Sequence, residues 1–405
     1  MKYLVILMDG AADYPLAELD GKTPFQVSRK PHLDQLATVG ELGLVQTIPD
    51  GLPPGSDVAN LAVMGYDPKQ YYTGRSPLEA VSIGVDLAAT DVALRCNLVT
   101  LSGETDYQSR TMLDYSSDEI STAEARSLMA AIAENLNSPD FTFYSGFSYR
   151  HLLVWHNGCT DIQLTPPHDI SDRKINSYLP SGSGADNLLK LMQQSSVILQ
   201  NHPINLERIA RGLRPATSIW LWGQGKKPKL DSFSTKYRVK GSVISAVDLI
   251  KGLGICAGLK VVKVPGATGT ILTNFRGKAA AALDAFRSGQ DFVYLHFEAP
   301  DEAGHRGEVE NKIKAIEKID SEVLGVILPE LAKIDPEYRL LILPDHPTPL
   351  ALKTHTADPV PYLIYRSDQK NRQPAGVSYD EAAAQATGNF QAKGYQLMDR
   401  FILDD

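Results

Sequence analysis

Cysteine is scarce in this sequence, and its few residues are badly placed for cross-linking. The 405 residues include three cysteines, Cys96, Cys159 and Cys256, an odd number with long spacings. Such a set forms neither a disulfide framework nor a CxxC metal site. We therefore predict that all three are reduced thiols in or near the core.

Long hydrophobic runs and clusters of one charge are also missing. No apolar stretch reaches the roughly 18–20 residues that cross a bilayer, and the first run, residues 3–8, is too short for a signal peptide. Basic residues number 40 and acidic residues 48, and no basic run exceeds a few residues, which excludes a duplex-binding stripe. We expect a cytoplasmic protein without a membrane segment or a nucleic-acid partner.

Three short hydrophobic runs have the same form and indicate the fold class. Residues 3–8, 291–297 and 339–343 each have the length of a buried strand, and an acidic residue closely follows each of them. Helical patterns at 278–286 and 309–332 alternate with these runs, as in α/β proteins. We expect central parallel strands, with ligands bound beyond their carboxyl ends.

The middle of the chain has a different pattern and predicts a second domain. Between residues 91 and 211 the strand candidates alternate more, and long helical segments at 123–135 and 185–194 separate them. The simplest interpretation is a smaller α/β domain of residues 91–211. It would be inserted into a discontinuous main domain of residues 1–90 and 212–405.

The acidic strand ends are joined by histidines in a pattern that suggests metal binding. Asp301 and His305 are four residues apart, which places both on one face of a helix. Carboxylate and imidazole groups at a strand end suit Mn²⁺, Zn²⁺, Mg²⁺ or Co²⁺. Taken singly, each position is also that of a solvated Asp at a helix start or a surface histidine. Six residues together supply enough ligands for two adjacent ions: Asp9, Asp301, His305, Asp345, His346 and His355.

A two-metal site also needs an oxygen nucleophile or a water, and Ser56 is the candidate. It follows Gly55 and precedes the apolar, helix-like run 58–64. At a helix N-terminus the backbone N–H groups and the dipole favour a phosphate beside such a hydroxyl. The alternative interpretation is a serine that only caps the helix.

Short blocks along nearly the whole chain carry a family resemblance. One set is Met8-Asp9-Gly10, Gly55-Ser56-Asp57, Asp301-x3-His305, Asp345-His346 and His355-x3-Pro359-Val-Pro361. It resembles the alkaline phosphatase superfamily. A second set is Gly21-Lys-Thr-Pro24, Gly65-Tyr-Asp-Pro68, Gly74-Arg-Ser-Pro-Leu-Glu79, Arg95-Cys-Asn97, Trp222-Gly-Gln-Gly225 and Pro265-Gly-Ala-Thr-Gly269. It resembles, more narrowly, the archaeal-type 2,3-bisphosphoglycerate-independent phosphoglycerate mutases.

The resemblance implies a fold, a ligand set and an activity. The implied fold is an alkaline-phosphatase-like three-layer core with a central, mostly parallel sheet, plus the inserted domain. The implied cofactors are two divalent ions, Mn²⁺ before Zn²⁺, Co²⁺ or Mg²⁺, and no 2,3-bisphosphoglycerate. The implied reaction interconverts 3-phosphoglycerate and 2-phosphoglycerate in glycolysis or gluconeogenesis, with Ser56 phosphorylated on the way. The implied ligands are Asp301, His305 and His355 for one ion, and Asp9, Ser56, Asp345 and His346 for the other.

The small-molecule substrate carries a phosphate and a carboxylate, and planar arginines suit both groups. The candidates for substrate binding are Arg75, Arg95 and Arg150, together with His151, His168 and Asp169. Surface arginines and structural histidines are the alternative for these positions. A metal-dependent phosphatase or phosphotransferase would use the same core, and this alternative includes a homoserine-kinase-like activity. The sequence, however, lacks a Gly-x4-Gly-Lys-Ser/Thr loop.

Overall fold

A computed structural model describes residues 1–368 and 377–404. The contacts between residues divide the chain into two compact units. Met1–Tyr72 and Lys229–Asp405 form what we call the core unit, and Thr73–Pro228 forms the inserted unit. The inserted unit begins and ends outside the predicted bounds of 91 and 211. Helix Ser76–Ser82 packs on strands of this unit at one end, and strand Ser218–Lys226 belongs to its sheet at the other.

The strands and helices alternate along most of the described chain. The strands there are β1 (Lys2–Met8), β2 (Glu41–Val45), β3 (Val92–Leu101), β4 (Met112–Asp114), β5 (Phe141–Phe147), β6 (Arg150–Trp155), β7 (Ile162–Gln163), β8 (Ser181–Gly182), β9 (Ser218–Lys226), β10 (Gly241–Ile244), β11 (Lys260–Val261), β12 (Phe292–Phe297), β13 (Tyr338–Leu343), β14 (Val360–Arg366) and β15 (Phe390–Gln391). The α-helices there are α1 (Pro24–Val27), α2 (Pro31–Val39), α3 (Ser56–Val63), α4 (Pro68–Tyr71), α5 (Ser76–Ser82), α6 (Thr122–Leu136), α7 (Ala185–Gln200), α8 (Pro203–Ala210), α9 (Phe233–Tyr237), α10 (Asp248–Cys256), α11 (Phe275–Arg287), α12 (Ala299–Arg306), α13 (Val309–Lys318), α14 (Gly325–Ile334), α15 (Glu381–Ala386) and α16 (Leu397–Leu403).

The core unit is built on one sheet with the order β11-β10-β12-β1-β13-β14-β2-β15. Its strands pair in parallel except β14, which is antiparallel to both neighbours. The predicted strands 3–8, 291–297 and 339–343 are confirmed as β1, β12 and β13. These three are adjacent and almost wholly buried, as expected of parallel strands covered on both faces. Their carboxyl ends therefore meet at one edge of the sheet.

The inserted unit has an antiparallel sheet, β4-β3-β6-β5 with β9 on the other side of β3, and a small β7-β8 pair. Helices α6 and α7 pack on it and confirm the helical segments predicted at 123–135 and 185–194. Helix α6 starts with a capping box, in which Ser121 and Glu124 satisfy each other's backbone N–H groups. Alternating strand residues and these helices enclose one hydrophobic core.

Two further expectations bear on the fold. The three cysteines, all in the described part of the chain, form no disulfide, as predicted. Within that same part, none of the helices combines the length and the apolar character that a membrane crossing requires.

Candidate active site

The six predicted ligands converge at the carboxyl edge formed by β12, β1 and β13. Because β1 lies between the other two strands, residues that follow the three strands are neighbours in space. The ligands come from four places: Asp9 directly after β1, Asp301 and His305 on α12 after β12, Asp345 and His346 after β13, and His355 in the segment before β14.

One group of ligand atoms surrounds the imidazole of His346. Its Nε2 lies 3.1 Å from Ser56 Oγ, 3.5 Å from Asp9 Oδ1 and 3.5 Å from Asp345 Oδ2. The ligand atoms of Asp9, Asp345 and His346 all lie within 4.8 Å of one another. Three different elements thus present oxygen and nitrogen ligands to one small volume.

A second group forms around Asp301. The ligand atoms of Asp301, His346 and His355 lie within 4.8 Å of one another. His305 Nε2 is 3.3 Å from Asp301 Oδ2 and 2.9 Å from His355 Nε2, so the four-residue spacing does place Asp301 and His305 on one face of α12. His346 borders both groups, which makes them adjacent.

The chemistry of these side chains fits divalent cations. Asp9 Oδ1 is buried and has no hydrogen-bond partner, which is costly for a carboxylate oxygen that nothing else neutralises. The pKa of Asp9 is raised well above its usual value, first by burial and then by the charges of Asp345 and Asp301. Burial lowers the pKa of His346, which favours the neutral ring that binds metals. A cation held here would relieve both the carboxylate repulsion and the unpaired oxygen.

Ser56 is the first residue of α3, and Gly55 is the N-cap residue. The interpretation of Ser56 as a helix cap is therefore wrong, because its hydroxyl contacts His346 instead of a backbone N–H. Gly10, next to Asp9, lies where the backbone conformation and the surrounding space favour glycine. Its φ is +61°, and a Cβ there would lie 2.5 Å from Asp301 Oδ1, so a side chain would push into the ligand cluster.

His296 is a site residue that the sequence analysis missed. It is fully buried on β12, and its Nε2 lies 2.9 Å from Asp9 Oδ2. Its Nδ1 lies 3.2 Å from Ser245 Oγ, which also accepts from Val247 N. Burial lowers the pKa of His296 to about 3, so the ring is neutral. When Asp9 is ionised, its carboxylate only accepts hydrogen bonds, so the ring then carries its proton on Nε2 and donates to Asp9. A polar residue in an apolar strand was the available signal.

Two predicted arginines of the inserted unit are held by one carboxylate. Arg75 Nε and Arg95 Nε each lie 2.9 Å from an oxygen of Glu79. The Arg95 guanidinium also stacks 4.7 Å over the Trp222 ring, and His168 packs edge-on against that ring at 5.3 Å. Glu79 thus pairs with both cations and holds them beside an aromatic surface.

The remaining predicted substrate-binding residues lie in different surroundings. Arg150 is exposed and stacks 4.6 Å over the ring of Tyr149, and Asp169 is also exposed. His151 is 2% exposed, its Nδ1 accepts from Gly146 N, and burial lowers its pKa to about 4. His151 is therefore a neutral histidine buried inside the unit, and its Nε2 has no hydrogen-bond partner within the described part of the chain.

Known proteins resemble this chain over its full length. Residues 37–205 match the family model of 2,3-bisphosphoglycerate-independent phosphoglycerate mutase. A Methanosarcina barkeri protein of that name is 48% identical over 385 residues, 95% of either chain. A Geobacter sulfurreducens protein, named as a probable enzyme of this kind, is 51% identical over 403 residues, 99% of this chain and 100% of its own. The chain belongs to this family.

Solved structures agree with that membership. The cofactor-independent phosphoglycerate mutase of Thermoplasma acidophilum has a TM-score of 0.68 and 27% identity, with 100% of this chain and 99% of that chain covered. A Pyrococcus horikoshii protein has a TM-score of 0.82 and 28% identity, with 100% and 96% covered. The predicted family, the α/β fold with a large, mostly parallel sheet and the enzyme class, a phosphoglycerate mutase and hence an isomerase, are confirmed.

Proposed function

We propose that the chain interconverts 3-phosphoglycerate and 2-phosphoglycerate through a phosphoserine formed on Ser56. The observation that carries the proposal is the position of Ser56 Oγ. It starts a helix, where the backbone dipole favours phosphate, and it faces His346, which two carboxylates border. A serine that only packs or caps has no need of such neighbours.

The reaction has two halves that balance without a co-reactant. Ser56 loses its hydroxyl proton, and Oγ attacks phosphorus in line with the bond to glycerate. That bond breaks, and the departing oxygen takes up a proton, which leaves phosphoserine and glycerate. The other hydroxyl of glycerate then loses its proton and attacks phosphorus, the bond from phosphorus to Ser56 Oγ breaks, and Oγ takes up a proton.

The site holds two divalent ions in this proposal, with Mn²⁺ preferred over Zn²⁺, Co²⁺ and Mg²⁺, and it uses no 2,3-bisphosphoglycerate. When bound, such ions lower the pKa of a serine hydroxyl and balance the charge of the transferring phosphoryl group. The support is the unpaired, buried Asp9 Oδ1 amid carboxylates and neutral imidazole. The proposed ligands are Asp301, His305 and His355 for one ion, and Asp9, Ser56, Asp345 and His346 for the other.

The inserted unit supplies the residues that bind the substrate in this proposal. Arg95 is fixed by Glu79 and stacked on Trp222, so it loses little freedom when it binds an anion. Arg150 is exposed and steadied by its stacking on Tyr149. The other proposed substrate-binding residues are Arg75, His168 and Asp169. We leave His151 out of the proposal because its side chain is buried.

Ser56→Ala tests the proposal. We expect no production of 2-phosphoglycerate in an enolase-coupled assay with Mn²⁺, while the circular dichroism spectrum and metal content stay close to those of the wild type, because six ligands remain. Ser127→Ala, on the exposed face of α6, is the matched control and should retain full activity. Mass spectrometry of acid-quenched wild-type enzyme should find phosphate on Ser56.

Two results would contradict the proposal. Substantial mutase turnover by Ser56→Ala would exclude the phosphoserine route. Release of free phosphate by the wild type in place of 2-phosphoglycerate would favour the phosphatase alternative, and ATP-dependent phosphorylation of homoserine would favour the kinase-like one. All three products can be measured on the same preparation.

A further inference from the structure

A chain of hydrogen bonds links three buried side chains from different elements of the core unit. The Tyr294 hydroxyl on β12 donates to Asn60 Oδ1 at 2.6 Å, and Asn60 Nδ2 on α3 donates to Asp345 Oδ2 at 2.7 Å. All three residues are 0% exposed. Because these side chains are shielded from solvent, each bond is strong and its loss leaves an unpaired polar atom.

The chemistry of the partners allows one orientation of the Asn60 amide. A carboxylate only accepts hydrogen bonds, so Asp345 must face the NH₂ group. The amide oxygen then faces Tyr294, which must donate. Burial first, and then the charge of Asp345, raise the pKa of Tyr294 well above its usual value, so the phenol keeps the proton that it donates.

The amide nitrogen of Asn60 has a second partner in the proposed nucleophile. Nδ2 also lies 2.8 Å from the backbone carbonyl oxygen of Ser56. One NH₂ group thus joins the first residue of α3 to the carboxylate of a proposed metal ligand. Asp345 Oδ1 accepts from Gly10 N at 3.1 Å and His346 N at 2.9 Å, so neither oxygen of Asp345 is free to turn.

We propose that Tyr294 and Asn60 are positioning residues of this site, an inference that rests on the proposed function. Tyr294 fixes the amide of Asn60, and Asn60 fixes the carboxylate of Asp345 relative to the Ser56 backbone. Both side chains are fully buried, and the proposed role of each is to act through Asp345 and not on the substrate. Their joint effect is to hold a metal ligand and the nucleophile in one geometry before the ion or the phosphate arrives.

Tyr294→Phe is the test, because it removes one oxygen and keeps the buried ring. The probe is Mn²⁺, titrated into chelator-treated protein and followed by electron paramagnetic resonance of the free ion. We expect affinity to weaken roughly 10-fold, the lower end of the loss seen when partners behind metal ligands are removed. With Mn²⁺ saturating, kcat should fall while KM for 3-phosphoglycerate stays near the wild-type value.

Tyr66→Phe is the matched control. Tyr66 is also in the core unit and 1% exposed, but its hydroxyl donates to the backbone oxygen of Asp231, away from every proposed ligand. Both variants lose the hydrogen bond of one hydroxyl on a buried ring. The bond is buried at Tyr294 and partly buried at Tyr66, so thermal stability should fall in both variants and at least as far in Tyr294→Phe. Only Tyr294→Phe should lose Mn²⁺ affinity.

A double variant tests whether the hydroxyl acts through the amide. Asn60→Leu alone should weaken Mn²⁺ binding, and adding Tyr294→Phe should weaken it no further, because the partner of the hydroxyl has already gone. If the losses add, Tyr294 acts by another route and the inference is overturned.

The outcomes separate this inference from the proposed function. If the wild type binds Mn²⁺ and carries phosphate on Ser56, but Tyr294→Phe binds Mn²⁺ as tightly as Tyr66→Phe does, the positioning role alone is overturned. If the wild type takes up no Mn²⁺ at all, the two-metal proposal fails and the positioning role fails with it.

Discussion

Replacement of Lys312 should destabilise the core unit far more than replacement of an exposed lysine on the same helix. Lys312 on α13 is 0% exposed. Its ammonium donates to Asp13 Oδ2 at 2.6 Å and to the backbone oxygens of Thr348 at 2.8 Å and Ala12 at 3.3 Å. These bonds join the segment after β1 to the segment after β13, which are the two segments that carry Asp9 and Asp345.

The size of the loss in the free energy of unfolding follows from the groups that Lys312→Met leaves unpaired. The methionine keeps the apolar stem, but the Asp13 carboxylate stays buried with backbone N–H donors and no counter-charge. Removal of one partner of a buried ion pair costs about 3–5 kcal/mol. For a domain of this size, that loss lowers the unfolding temperature by roughly 6–20 °C.

The assay is thermal unfolding of the full chain followed by far-ultraviolet circular dichroism, with Lys314→Met as the control. Lys314 lies two residues further along α13, is exposed, and pairs with Glu310 at 3.2 Å. An exposed pair of this kind contributes about 0–1 kcal/mol, so the control should unfold near the wild-type temperature. Equal losses in the two variants would refute the reasoning, because burial would then not determine the cost.

Three further predictions concern the metals, the substrate and pH. Exhaustive treatment with EDTA should abolish mutase turnover and added Mn²⁺ should restore it; full activity of metal-free protein would contradict the two-metal site. Arg150→Ala should lower turnover about 10²-fold, as expected from losing a charge-assisted hydrogen bond in the transition state. It should also raise the amount of free phosphate relative to 2-phosphoglycerate. Arg126→Ala, on the exposed face of α6, is the control and should change neither quantity. Burial raises the pKa of Glu381 to about 7 from 4.5, so its contribution to stability is complete below pH 4.5 and is lost as the pH rises through about 7. Urea unfolding across that interval should show a shallower decline for Glu381→Gln than for the wild type, and identical slopes would exclude the shift.

The convergence of the proposed metal ligands could be predicted from the sequence because local patterns determine their positions. A buried parallel strand is recognisable as a short apolar run, and its carboxyl end is where an acidic residue lies close to a ligand. Asp9 and Asp345 are in that position, and Asp301 and His305 share a helix face through their spacing alone. Adjacency of β12, β1 and β13 in the sheet then brings these separate patterns together.

The residues that connect to the proposed ligands through hydrogen bonds could not be predicted from local patterns. Asn60 lies in an apolar helical run and Tyr294 in an apolar strand, and each is compatible with ordinary packing. Their hydrogen bond joins positions 234 residues apart, and nothing local to either one indicates the other. Such contacts depend on the packing of α3 against the sheet, which only the tertiary structure provides.

The prediction that Arg150 and His151 both bind the substrate meets a physical objection that the sequence alone provides. Arg150 and His151 are consecutive residues of β6, and consecutive side chains in a strand point to opposite faces of the sheet. Both could therefore not reach the same ligand. In the structure Arg150 is exposed and His151 is buried opposite Cys96 of the neighbouring strand. The rule excludes a shared role from the sequence alone, and only the structure shows which of the two residues is accessible.

The proposed catalytic residues are distributed unevenly along the chain, and this distribution bears on the choice between mutase and phosphatase products. Every proposed metal ligand and Ser56 lie in the core unit, whose bounds leave out residues 73–228 entirely. The ions, the nucleophile and the positioning pair therefore need no residue of the inserted unit. The fate of the phosphoserine, by contrast, depends on whether glycerate stays bound long enough to attack it before water does. If the proposed substrate-binding residues decide that competition, changes in the inserted unit should alter the product while the proposed ligand set stays the same.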